Sequence, residues 1–173
     1  VGLFYGALAG LAQQDLRPRL ALFSAAHLSI VLLAIFSLHL FGLQGSVLEM
    51  LTHGLAVAGW LLVCFALSSA GPDLRLQSLR GVLGPVPLAG ALLVFVLSWI
   101  GMAGTGGFPG LTLVLISLAN VYWWLLPPLV LGVLVLGVAL FLTLGHLVSS
   151  PPHKAPPQLR LREVTALLTV LVL

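Results

Sequence analysis

Charge is scarce in this 173-residue chain. Only 6% of residues are Asp, Glu, Lys or Arg, against a hydrophobic fraction of 60% and a mean hydropathy of +1.20, whereas soluble domains carry about 25% charged residues. A soluble globular protein is excluded. Cysteine is nearly absent as well. Cys64 stands alone, so no internal disulfide forms, and without Cys or His clusters at ligand spacing there is no zinc or iron–sulfur signature and no metal site. Basic residues never cluster with aromatics, which excludes nucleic-acid binding despite a pI near 9.8. The apolar runs are continuous instead of alternating, which argues against a transmembrane β-barrel.

What remains is an all-α, polytopic transmembrane helical bundle forming one domain over residues 1–173. At about 20 apolar residues per crossing, the chain has room for about five or six spans. The hydropathy predicts a partial helix over 1–12, spans over 20–43, 46–69, 88–123 and 129–148, and a partial helix over 162–173. The first run is too short to span and lacks the basic flank of a signal peptide, and Leu173 stops in mid-run. Both ends read as cut helices, as in a fragment or one piece of a split protein. Pro18 is expected to hold Gln13 to Arg19 as a polar turn, and Gly42 to Gly45 to reverse the chain after the first span.

The basic residues occur in alternate connections: Arg17 and Arg19, then Arg75 and Arg80, then Lys154, Arg160 and Arg162. They therefore fall on one side of the membrane, the cytoplasm, matrix or stroma by the positive-inside rule. Tyr122, Trp123 and Trp124 mark the other interface as an aromatic belt.

Two features inside the spans carry chemistry. The segment Gly101 to Gly110, GMAGTGGFPG, has five glycines and a proline. It reads as a helix broken near the midplane, with Gly104, Thr105, Gly106, Gly107 and Pro109 freeing backbone groups that can hold water. The alternative is an ordinary hairpin between two short helices. The second feature is Glu49 with His53, four residues apart and so on one helical face. A carboxylate one turn from an imidazole in an apolar run has the composition of a proton site, and such a pair titrates as a unit. The alternatives are a carboxylate at the lipid interface or a contact with a partner subunit. With 1.5 Å per residue, His27 lies about 11 Å in from the basic face and His53 about 11 Å in from the other. About 10 Å of depth would then separate the two rings, leaving water to bridge them. His39 and His146 read as structural or interfacial.

Four strings carry a resemblance. FYGALAGLAQQDLRPRLALFSAAH, GLQGSVLEMLTHGLA, GMAGTGGFPG and LREVTALL are similar, in order and spacing, to the antiporter-like proton-channel subunits of respiratory complex I, the family called chain 4 in mitochondria and chain M in bacteria. The resemblance implies the second of two inverted five-helix repeats, supplying a proton half-channel in the membrane arm of NADH:quinone oxidoreductase. It implies no catalytic residue or cofactor on this chain, with NADH, FMN, iron–sulfur clusters and quinone on partner subunits. His27 and His53 match the family's histidines, while Glu49 stands where relatives usually have glutamine. The family's glutamate after the helix break is replaced by Leu111, which leaves open a non-pumping structural remnant. A cation/proton antiporter, membrane hydrogenase or inorganic carbon transporter subunit is the remaining alternative.

Overall fold

The computed structural model describes residues 1–70, 74–79, 81 and 87–148, and the expected last helix over 162–173 lies outside the described residues. Among these residues the chain forms six α-helices: α1 (Gly2–Ala12), α2 (Leu16–Phe36), α3 (Leu40–Ala70), α4 (Pro87–Trp99), α5 (Gly107–Val121) and α6 (Leu126–Val148), with a 3-10 turn at Trp123–Leu125 before the last. No strand is present among the described residues; a single isolated bridge joins Asp15 to Arg75. Three stretches, Leu16–Phe36, Leu40–Ser68 and Trp123–Val148, are long and apolar enough to cross a membrane.

Several boundaries differ from the sequence expectation, two of them with a clear cause. The second helix begins at Leu16, four residues early, and takes in Arg17, Pro18 and Arg19. Proline lies in the first turn, where an N–H has no intrahelical partner, so it starts the helix instead of blocking it. The chain then reverses at Ser37 to His39, not at Gly42 to Gly45. Leu38 adopts a left-handed φ of 50°, and Ser37 Oγ donates to the Ala34 carbonyl at 2.6 Å. The two glycines sit inside the first turns of α3. Their bare α-carbons meet the backbone and hydroxyls of neighbouring helices: Gly42 packs on Ala34, Ser37 and Ser117, and Gly45 packs on the Gly110 carbonyl and Leu113. These glycines serve close approach, not turning.

Small residues set the other crossings too. Gly6 lies against Ala26 and the Leu22 carbonyl, and Gly10 against the Phe23 ring, so α1 and α2 run antiparallel in intimate contact. In lipid, where apolar surface gains little by leaving the solvent, such close packing supplies much of the association energy. Helix α5 rests mainly on α3, while α4 packs on α3 and, less extensively, on α6. The core between them holds Phe23, Ile30, Trp60, Leu92, Leu118 and Leu140.

One end of the bundle gathers the described basic residues. Leu16 N–H donates to the Leu74 carbonyl at 3.1 Å, Leu76 N–H to Gln14 at 2.9 Å and Gly81 N–H to His146 at 3.2 Å. These bonds tie the segment after α3 to the α1–α2 turn and to the last turn of α6. Arg19 is only 7% exposed. It donates to the carbonyls of Leu11 at 2.6 Å and Gln13 at 3.2 Å, and to Thr143 Oγ1 at 3.2 Å. The guanidinium thus closes the carbonyl end of α1, where the helix dipole favours a cation. Trp123 and Trp124 lie exposed at the start of α6, 71% and 60% accessible, about 35 Å from its other end and so at the opposite face.

Candidate proton site

Helix α2 carries Ser24 and His27 three residues apart, and α3 carries Glu49 and His53 four apart. Each pair therefore shares a face, and the two helices run antiparallel with those faces opposed. Contacts step along the seam in opposite directions on the two helices. A hydrogen bond of 2.9 Å joins His27 Nε2 to Glu49 Oε2, and one of 2.8 Å joins Ser24 Oγ to His53 Nε2. The two imidazoles lie between, stacked with ring centroids 4.5 Å apart and planes 2° from parallel. Trp99, the last residue of α4, presents its edge to both rings at 5.0 and 6.3 Å.

This arrangement corrects two sequence readings. Glu49 pairs with His27 on the neighbouring helix, not with His53 on its own, because the α2 ring enters between them. The expected 10 Å of depth between the histidines also disappears. His27 lies 11 residues past Leu16 and His53 13 residues past Leu40, so both sit about 16–20 Å along their helices and meet at mid-depth. The earlier starts of both helices carry the two rings to the same depth. Trp99 went unnoticed in the sequence, and neither Ser24 nor Gly110 was assigned a part in the site. Ser24 had a signal, since it stands one turn before His27; Trp99 had its place just before the break.

The cluster is dry at its edges and under-satisfied at its centre. His27, Glu49 and His53 are 2%, 2% and 6% exposed. His27 Nδ1, His53 Nδ1, Glu49 Oε1 and Trp99 Nε1 are buried without a protein partner among the described residues. Buried polar atoms of this kind are ordinarily satisfied by internal water. A largely apolar groove of about 360 Å³ runs between Arg17 and Leu28 on α2 and Val57 to Leu61 on α3, and touches the cluster at Ser24 and Trp99.

The segment Ile100 to Gly106 separates α4 from α5. Gly104 takes φ 92° and is exposed, and Thr105 Oγ1 donates to the Met102 carbonyl at 2.6 Å. Gly107 and Pro109 fall inside the first turn of α5, with Gly107 packed on the Ser98 carbonyl. The bare face of Gly106 looks toward Thr52, next to His53, and Gly110 lies against the Glu49 side chain. The glycine segment is therefore adjacent to the histidine stack. Leu111 packs on Gly101. His39 accepts a 3.3 Å bond from Phe41 N–H, and His146 bonds the Leu142 carbonyl at 3.2 Å; neither joins the cluster. Among the described residues no group of His, Cys, Asp or Glu has metal-site geometry.

Comparison with known proteins gives this geometry a lineage. Residues 1–137 match the family described as NADH:quinone oxidoreductase/Mrp antiporter, TM. The chain is 34% identical to NADH-quinone oxidoreductase subunit M of Pseudomonas aeruginosa over 118 residues, 68% of this chain and 23% of that protein. It is 35% identical to NADH-ubiquinone oxidoreductase chain 4 of Chondrus crispus, again over 68% of this chain and 24% of that one. The Rhodobacter capsulatus subunit M is 29% identical over 87% of this chain and 27% of its own length. The chain thus spans about a quarter of these relatives. A chain of the respiratory complex I of Thermus thermophilus with bound NADH superposes with a TM-score of 0.90 over 99% of this chain and 37% of its own, at 24% identity. That likeness shares the helical membrane-arm fold. With most of its length matched, the chain belongs to the NADH:quinone oxidoreductase/Mrp antiporter transmembrane family.

Proposed function

We propose that this chain is a membrane-arm subunit of a proton-pumping NADH:quinone oxidoreductase, and that Ser24, His53, His27 and Glu49 carry protons through it. The observation that carries the reading is the buried His27–Glu49 bond with His53 stacked on it. A carboxylate, two imidazoles and a hydroxyl inside an apolar bundle are costly to keep there unless they do something. NADH, FMN, iron–sulfur clusters and quinone belong, on this reading, to partner subunits, and this chain holds helices and a proton line only. Its partners are the other membrane-arm subunits and the bilayer of an energy-coupling membrane, with Arg17, Arg19 and Arg75 toward the matrix or cytoplasm.

The chemistry follows from which nitrogens are engaged. Parallel stacked rings place no N–H along a line to the other ring, so His53 and His27 exchange a proton through water at their two unpartnered Nδ1 atoms. A proton taken at His27 Nδ1 releases the one on Nε2 to Glu49 Oε2, so one proton enters the ring and one leaves. The protonated carboxyl then turns about its Cγ–Cδ bond, carrying the proton from Oε2 to the side of the glycine segment where Oε1 lies, and releases it there. The groove from Arg17 supplies the approach to Ser24 and His53. The test is Glu49→Gln and His27→Gln in the assembled complex, with NADH oxidation and proton pumping measured together. At least a threefold fall in protons moved per electron is expected, with the complex assembled and reducing quinone. An unchanged ratio in both variants rejects the relay.

A further inference from the structure

We propose that Gly110 is a positioning residue for this relay: its bare α-carbon seats the Glu49 carboxyl against α5 and keeps Oε1 open toward the glycine segment. The inference rests on the relay reading for its consequence, but its geometry stands separately. A methyl group on Gly110 would come within 2.9 Å of Glu49 Oε1 and 3.1 Å of both Glu49 Cγ and the Glu49 backbone nitrogen. All three are tighter than ordinary van der Waals contact, and two involve the side chain that bonds His27. Glycine is not needed here for its backbone freedom. Gly110 lies in the regular helix α5, and none of its torsions is left-handed.

The neighbourhood leaves the carboxyl nowhere else to go. Gly45, one turn before Glu49 on α3, packs on the Gly110 carbonyl and on Leu113, so the α3–α5 seam is already at its closest approach. Glu49 is 2% exposed, its Oε2 is held by His27, and its Oε1 has no protein partner. A side chain at position 110 would therefore either turn the carboxyl off His27 or cover Oε1. Either outcome cuts the proton line at its last member without removing a titratable group. The acid comes from one helix and its seat from another, so the rest of the site depends on a residue that contributes no atom to proton transfer.

The test is a mutant cycle in the assembled complex. Gly110→Ala is compared with Gly106→Ala, whose methyl would approach only Thr52 Cγ2 at 3.3 Å and the Ser98 hydroxyl at 3.9 Å, and each is repeated in a Glu49→Ala background. The infrared carboxyl band assigned to Glu49, by its loss in Glu49→Gln, reports the seat. Expected results are a shifted band and an at least fivefold loss of pumping in Gly110→Ala, and neither in Gly106→Ala. In the Glu49→Ala background, Gly110→Ala should then add less than twofold to any loss of pumping or assembly. If Gly110→Ala alone does not assemble, recovery of assembly in the Glu49→Ala background supports the seat. An unshifted band, or the same loss in both backgrounds, overturns it. If the band shifts while Glu49→Gln pumps normally, the seat stands and the relay falls.

Discussion

Ser24 contributes a hydroxyl to a site otherwise made of rings and one acid. Its 2.8 Å bond to His53 Nε2 is the only protein hydrogen bond to that ring among the described residues, and a hydroxyl, able to donate or accept, serves the ring in either tautomer. Ser24→Ala should leave the complex assembled, lower the pumping rate about threefold to tenfold, and change the tautomer ratio of His53 read by nitrogen-15 resonance. Ser24→Thr, which keeps the hydroxyl, should restore both. At this scale the sequence was legible for a physical reason. Glu49, His53 and His27 are ionisable groups inside apolar runs, and such residues stand out by cost alone. Who bonds to whom was not legible, because pairing across helices depends on where each helix starts, and Pro18 admitted a start at Leu16 that its usual role as a breaker concealed. The resemblance had placed the family's acid at position 111. Here a carboxyl from α3, that of Glu49, reaches the adjacent α5 residue, Gly110.

Among the elements, the α3–α5 seam has most at stake. Gly42 and Gly45 on one side and Gly110 on the other let two backbones approach as small residues do in membrane helices, and the Ser37–Ser117 hydroxyl bond of 2.7 Å pins the far end of the same seam. Gly45→Val should push α5 away and destabilise the bundle by about 1–3 kcal/mol. A lower yield of assembled complex and a lower melting temperature by differential scanning would check it; unchanged values would mean the seam is looser than its contacts imply. In the sequence these glycines looked like turn formers. Length and apolarity are local properties that hydropathy reads, but whether a glycine bends a chain or lets another chain come near is decided by neighbours.

For the molecule as a whole, bonds from the segment after α3 to the α1–α2 turn and to α6 bring Arg17, Arg19 and Arg75 to one end. Cys64, the chain's one cysteine, is buried, so introduced thiols report cleanly. In intact vesicles an impermeant maleimide should label Gln77→Cys only from the matrix or cytoplasmic face and Trp123→Cys only from the other; labelling of both from one face would refute the orientation. The stacked rings, finally, impose a counting rule on whatever passes. Two imidazolium charges 4.5 Å apart would repel by roughly 4 kcal/mol at an effective dielectric of about 20, close to a thousandfold penalty on double occupancy. On the proposed relay the pair is a turnstile: one proton must clear the stack before the next can enter, however many wait outside it.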